Sequence, residues 1–228
     1  MQRIFITGTD TDAGKTFICS ALLAGFRHLG IRSYAVKPIA SGCDEHGRNA
    51  DIDALLGNSS LGEADINWHK FTPAIAPHLA AAQQGIALTG QGFVQFVQSE
   101  ARPNADIQLI EGAGGWLLPL SGHELLSDAV IAAGWPVVLV VGVKLGCLNH
   151  ALLTYRELAR SGVPVLGFVA NVLGPMPVLA ENLSELQRLL PVPCLGVMPF
   201  QPTDFIGVSS HLSQQLLAQL AQFPEKSL

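Results

Sequence analysis

Short apolar blocks alternate with longer stretches of helical periodicity along the chain. The strand-like blocks are residues 3–7, 33–36, 107–111, 137–142, 166–171 and 194–198. One of them, Val137-Val138-Leu139-Val140-Val141, is apolar at every position, the pattern of a strand covered on both faces. Between the blocks, residues 16–29, 92–100, 124–133, 149–161, 178–190 and 209–223 place apolar side chains at i, i+3 and i+4, which predicts helices. This alternation predicts an α/β fold of the doubly wound type: a mostly parallel sheet with helices on both faces. Right-handed crossovers then bring every strand's C-terminal end to one rim, where such sheets bind ligands. The least regular interval is 38–89. Short helices are expected there at 51–56 and near 78–84, within a connection long enough to be functional.

Composition narrows the class. With 49% hydrophobic and 14% charged residues, the chain is not a disordered one, and a single domain over 1–228 is expected. The mean hydropathy of +0.36 is high, but the apolar runs stop well short of the ~18 residues that span a bilayer. A net charge of −5 gives no global attraction to nucleic acid or to an anionic membrane, so the expected partner is a small molecule. The first strand starts almost at Met1, leaving no room for a secretory signal, and a cytoplasmic location is expected. Cys19, Cys43, Cys147 and Cys194 lack any C-x-x-C or Cys/His metal spacing and are expected to be reduced thiols.

Candidate chemistry begins where the first strand ends, at Gly8-Thr9-Asp10-Thr11-Asp12-Ala13-Gly14-Lys15-Thr16. Glycines let backbone N–H groups curl around phosphates, Lys15 brings a point charge and Thr16 a hydroxyl for Mg²⁺. Five residues separate Gly8 from Gly14, one more than in the strict phosphate-loop pattern. Three further strand ends carry polar groups. Lys37 and Ser41 follow the second strand, where Lys37 is either a phosphoryl-stabilising cation or a solvated surface lysine. Asp51 follows, as a ligand or a helix cap. Glu111 closes the next strand ahead of Gly112-Ala113-Gly114-Gly115, the place where nucleotide enzymes hold Mg²⁺. Thr16, Asp51 and Glu111 together make a hard-oxygen set. After the fourth block, Gly146-Cys147-Leu148-Asn149 opens a helix and is either an anion site or a start capped by Asn149.

These blocks, with Lys37-Pro38-Ile39-Ala40-Ser41-Gly42, Ala76-Pro77-His78, Glu111-Gly112-Ala113-Gly114-Gly115-Trp116, the stretch 140–154 and Val169-Ala170-Asn171, resemble the dethiobiotin synthetase family in order and spacing from about residue 2 to about 200. The longer glycine spacing is usual in that family. Asp12 stands where glutamate is common, and the segment after Pro199 matches weakly.

The resemblance implies a P-loop fold and ATP-dependent ring closure of 7,8-diaminopelargonate with CO₂, supplied as bicarbonate, to dethiobiotin, ADP and phosphate. It implies Lys15 and Lys37 as catalytic residues, Lys37 foremost, and Thr16, Asp51 and Glu111 as Mg²⁺ ligands. Asp12, Ala13, Gly14, Lys15, Thr16, Gly112, Ala113 and Gly114 would bind ATP, with Asn171, Pro199, Phe200 and Gln201 on the adenine side. Thr11, Ser41 and Pro77 would meet the diamine or carbamate. Gly146, Cys147, Leu148 and Asn149 would take the substrate carboxylate across a homodimer. Two rivals are an ATP-switched positioning protein of the same fold, which would commonly carry another lysine where this loop has Thr9, Asp10 and Thr11, and an amidoligase, which would need an ammonia source.

Overall fold

The computed structural model describes residues 1–59, 62–99 and 103–223. Strands β1 (Gln2–Gly8), β2 (Ser33–Val36), β5 (Ile107–Glu111), β6 (Val137–Val143), β7 (Val165–Val172) and β8 (Cys194–Met198) form one sheet. Its order is β2-β5-β1-β6-β7-β8, and every pairing in it is parallel. Two strands absent from the sequence reading, β3 (Ile39–Ser41) and β4 (His69–Phe71), pair only with each other. The helices are α1 (Lys15–His28), α2 (Ala50–Leu56), α3 (Glu63–Ile66), α4 (Pro77–Gln83), α5 (Gly90–Val97), α6 (Leu126–Ala133), α7 (Cys147–Ser161), α8 (Leu179–Leu189) and α9 (Phe205–Leu220). The end of the helix expected over 92–100 lies outside the described residues at 100.

Period-two burial divides the core between the two sheet faces. Ile4, Ile6, Val138 and Val140 face a cluster with Ile18, Leu22 and Phe26 of α1, Ile52 of α2 and Leu212 and Leu216 of α9. Phe5, Val137, Leu139 and Val141 face the opposite cluster, with Phe93 of α5, Val130 of α6, Ala151 and Leu158 of α7 and Leu186 of α8. Each large apolar side chain fully buried this way contributes roughly 1.5–3 kcal/mol, so the sheet is a rigid platform for the loops at its rim. Strand order reverses around β1, with β5 on one side and β6 on the other. The crevice at this reversal lies beside the turns that leave β1, β2 and β5. No helix among the described residues is long and apolar enough to cross a membrane.

Candidate active site

The loop from β1 to α1 is tied down from several sides. Gly14 caps α1 with φ 89, a left-handed conformation that a side chain disfavours. The Asn171 amide from β7 fills the space beside it and donates to the Ala13 carbonyl at 2.9 Å. Gly142 N donates to Thr9 Oγ1 at 3.3 Å. Asp10 accepts from Thr11 N through one carboxylate oxygen (2.8 Å) and from Lys144 Nζ through the other (3.0 Å). Lys15 Nζ donates to the carbonyls of Asp10 and Thr11, each at 3.0 Å, so the loop with the extra residue closes on its own lysine.

Four charged side chains meet at the floor of the crevice. Lys37 is set by its backbone, with N donating to Ile66 O at 2.8 Å and O accepting from Asn67 Nδ2 at 2.9 Å. Its ammonium donates to Asp51 Oδ2 at 2.5 Å and Glu111 Oε1 at 2.6 Å. Thr16 Oγ1 donates to the same Glu111 oxygen at 2.5 Å. Lys15, Lys37 and Glu111 are all buried, at 4%, 6% and 1% exposure. Burial works against the Lys37 charge, yet Glu111 and Asp51 outweigh it and hold its pKa above the usual lysine value. Burial lowers the Lys15 pKa, aided by repulsion from Lys37 and opposed by Glu111. Burial would raise Asp51, but Lys37 and the hydroxyl of Thr16 hold it below the ordinary carboxylate range. The capping reading of Asp51 fails: Asn49 is the N-cap of α2, accepting from the backbone of Asp51 and Ile52.

Thr16, Asp51 and Glu111 fit a magnesium ion. Their donors are a hydroxyl and two carboxylates, and Glu111 Oε2 is buried without a hydrogen-bond partner. No group of three or more His, Cys, Asp or Glu side chains able to hold a metal occurs among the described residues. A partial oxygen shell is what Mg²⁺ uses when substrate phosphates and water complete it.

Above the charged floor opens a cavity of about 740 Å³, lined by Thr11, Asp12, Gly14, Lys15, Thr16, Lys37, Ser41, Asp51, Pro77, Glu111, Ala113 and Gly114 from the expected set. Ser41 Oγ is buried there without a partner. The other wall is apolar, with Ile39, Ile75, Leu117, Leu118 and Pro119. A second pocket of about 540 Å³ meets the first at Gly14 and Phe17. It holds Asn171, Pro199, Phe200 and Gln201 together with Pro202 and Phe205.

Gly112 and Ala13 stand behind these surfaces: Gly112 N donates to Ile6 O at 3.0 Å, and Ala13 is buried. Gly146, Cys147, Leu148 and Asn149 do not line the cavity. Gly146 is the N-cap of α7 in a left-handed conformation, so Asn149 lies inside the first turn and is not the cap. The sequence reading missed Phe17 and Phe205, whose rings stand 5.8 Å apart. The available signal was Phe17 itself, a large aromatic directly after the Gly-Lys-Thr that opens α1. It also missed the pairing of Asp10 with Lys144. All four cysteines are free.

Residues 2–203 match a family model described as an AAA domain. The chain is 46% identical over 219 residues to the ATP-dependent dethiobiotin synthetase BioD of Pseudomonas aeruginosa (strain UCBPP-PA14), covering 93% of this chain and 96% of that protein. It is 47% identical over 204 residues to the protein of the same name from Cellvibrio japonicus (strain Ueda107), covering 87% and 89%. Among solved structures it is similar to the cell division ATPase MinD of Pyrococcus furiosus, with TM-score 0.54, 16% identity and coverage of 96% and 99%. The septum site-determining protein MinD complexed with Mg-ADP from Pyrococcus horikoshii OT3 gives TM-score 0.53, 17% identity and coverage of 98% and 96%. At these identities the structural likeness concerns the fold alone.

Proposed function

Because the chain belongs to the ATP-dependent dethiobiotin synthetase family, a ligase family that forms dethiobiotin with ATP, we propose that it closes the ureido ring of 7,8-diaminopelargonate with CO₂ in the cavity above Lys37. One amine adds to CO₂ and loses a proton, giving a carbamate. A carbamate oxygen attacks the γ-phosphorus of ATP and ADP leaves. The second amine attacks the carbonyl carbon of this mixed anhydride and loses a proton, and phosphate leaves as the ring closes. The observation that carries the reading is the burial of Lys15 and Lys37 beside Thr16 and Glu111 at the floor of a cavity whose other wall is apolar.

The two lysines stabilise charge on the transferring phosphoryl group, a task that preorganised cations in a dry site perform well. Thr16, Asp51 and Glu111 would hold Mg²⁺, which would neutralise phosphate charge. Thr11, Ser41 and Pro77 place the diamine and carbamate, and the unpaired Ser41 hydroxyl suits such a contact. Ile39, Ile75 and Leu117 give the aliphatic chain an apolar wall. The nucleobase enters the pocket of Asn171, Pro199, Phe200 and Gln201. The whole chain, 1–228, acts as one cytoplasmic domain and works as a homodimer, in which the α7 start of the partner subunit receives the substrate carboxylate. Support for that pairing is the exposure of Leu145 (95%) and Leu153 (61%) at and along α7, outside the cavity.

Purified protein given Mg-ATP, bicarbonate and the diamine should yield dethiobiotin by mass. ATP turnover insensitive to the diamine, without product, refutes the proposal. Lys37→Ala should lower turnover about 100-fold or more while the fold is kept.

A further inference from the structure

Lys37 stands among the oxygens assigned to the metal. Its ammonium is bonded to Asp51 Oδ2 and to Glu111 Oε1, the oxygen that also accepts from Thr16. An ammonium at 2.5–2.6 Å from two carboxylate oxygens uses the lone pairs and the space that a divalent cation would need. The two cations therefore compete for these oxygens.

Charge decides the terms of that competition. Lys15 and Lys37 against Asp51 and Glu111 sum to zero at the cavity floor. A divalent cation entering alone would raise the floor to +2 and push Lys37 off both partners. Among the described residues lining the cavity, the acidic side chain besides Asp51 and Glu111 is that of Asp12, which is exposed. A buried ammonium without an anion is strongly disfavoured. A triphosphate changes this, because its oxygens can receive Lys37 and Lys15 as the metal takes the carboxylates, and the loop N–H groups at the start of α1 favour the remaining negative charge.

We propose that Lys37 is an internal counter-ion occupying the cation seat, so that the site takes up a divalent cation only as its nucleoside-triphosphate complex. The proposal rests on the assignment of Thr16, Asp51 and Glu111 to the metal. Free metal does not precede nucleotide, and the event that seats the metal also turns Lys37 toward the phosphate it is to stabilise.

Mn²⁺ is the probe, followed by the loss of its free electron paramagnetic resonance signal on titration with the whole protein, with the Mn²⁺ chelated by the analogue in protein-free solution measured and subtracted. Wild type should bind Mn²⁺ weakly alone and at least roughly tenfold more tightly with a non-hydrolysable ATP analogue. Lys37→Met should bind Mn²⁺ without nucleotide at least about tenfold more tightly than wild type, and Mn²⁺ alone should raise its melting temperature but not that of wild type. Lys37→Arg keeps a cation and should resemble wild type. Equal Mn²⁺ affinity of wild type with and without the analogue overturns the proposal, with no variant needed. So does a folded Lys37→Met no tighter than wild type. Dethiobiotin formation is measured separately: a wild type that makes product yet binds Mn²⁺ alone at full strength sinks only the counter-ion role, and one that makes none while showing the nucleotide-dependent binding sinks only the synthetase reading.

Discussion

Replacing Gly14 with alanine sets a methyl group against the amide that supports the phosphate loop. The new Cβ would lie 2.0 Å from Asn171 Nδ2 and 3.2 Å from its Cγ, on a backbone with φ +89. Holding an L-residue in the left-handed region costs roughly 1–2 kcal/mol. Asn171 is 4% exposed, and moving its amide breaks the bond to the Ala13 carbonyl. A buried group left unpaired costs about 1–3 kcal/mol. Gly14→Ala should therefore lose about 2–5 kcal/mol, or roughly 4–20 °C of melting temperature for a chain of this size. The sharper statement concerns the pair. Asn171→Ala already gives up the bond to Ala13, so adding Gly14→Ala to it should cost only the backbone strain. In urea denaturation the two single losses should together exceed the double loss by about 1–3 kcal/mol. Additivity within about 0.5 kcal/mol would show that the amide and the left-handed turn do not constrain each other.

Asp51 gives a pH test. Its folded-state pKa lies below the ordinary carboxylate value of 3.8, so its stabilisation is complete above that value and is lost as pH falls through the folded value. The stability gap between wild type and Asp51→Asn, from urea titrations between about pH 5 and 2, should shrink with acid; a constant gap removes the ion pair as its source. Phe17→Ala should raise the KM for ATP with little change in kcat, roughly 5- to 150-fold if the ring stacks on the base; unchanged KM places the base elsewhere. Asn149→Ala should weaken diamine binding more than ATP binding by calorimetry, and the reverse order counts against an anion site at the α7 start.

The six strands of the main sheet were legible because burial on both faces leaves mostly apolar runs, unbroken at Val137–Val141. β3 and β4 were not: Ile39-Ala40-Ser41 and His69-Lys70-Phe71 are three residues each and mix polar with apolar, so no period can register. Helix starts shifted where capping overrode periodicity. α9 begins at Phe205, ahead of the expected 209, because Asp204 accepts from Gly207 N. Lys37, Glu111 and Thr16 were legible at one rim because parallel topology sends the ends of β1, β2 and β5 there. The pairing of Lys37 with both carboxylates was not, since it depends on where α2 swings Asp51 after a connection with no repeating pattern. Of the second pocket, Asn171, Pro199, Phe200 and Gln201 were expected, while Phe17 and Phe205 escaped for a similar reason: they are brought together by the packing of α9 on α1, far apart in sequence.

The position of β5 between β1 and β2 bears on how the chain is made. As synthesis proceeds from the N-terminus, the phosphate loop, Lys37 and Asp51 all emerge before Glu111. Yet β1 and β2 cannot zip to each other without filling the slot that β5 must occupy. The register of Arg3 with Gln108 closes a loop of about a hundred residues, the kind of long-range pairing that slows folding. A nascent chain ending before Glu111 thus carries the phosphate-type loop, Lys37 and Asp51 on an unfinished sheet, and nucleotide binding should be a late reporter, appearing only once the central strand pair has locked.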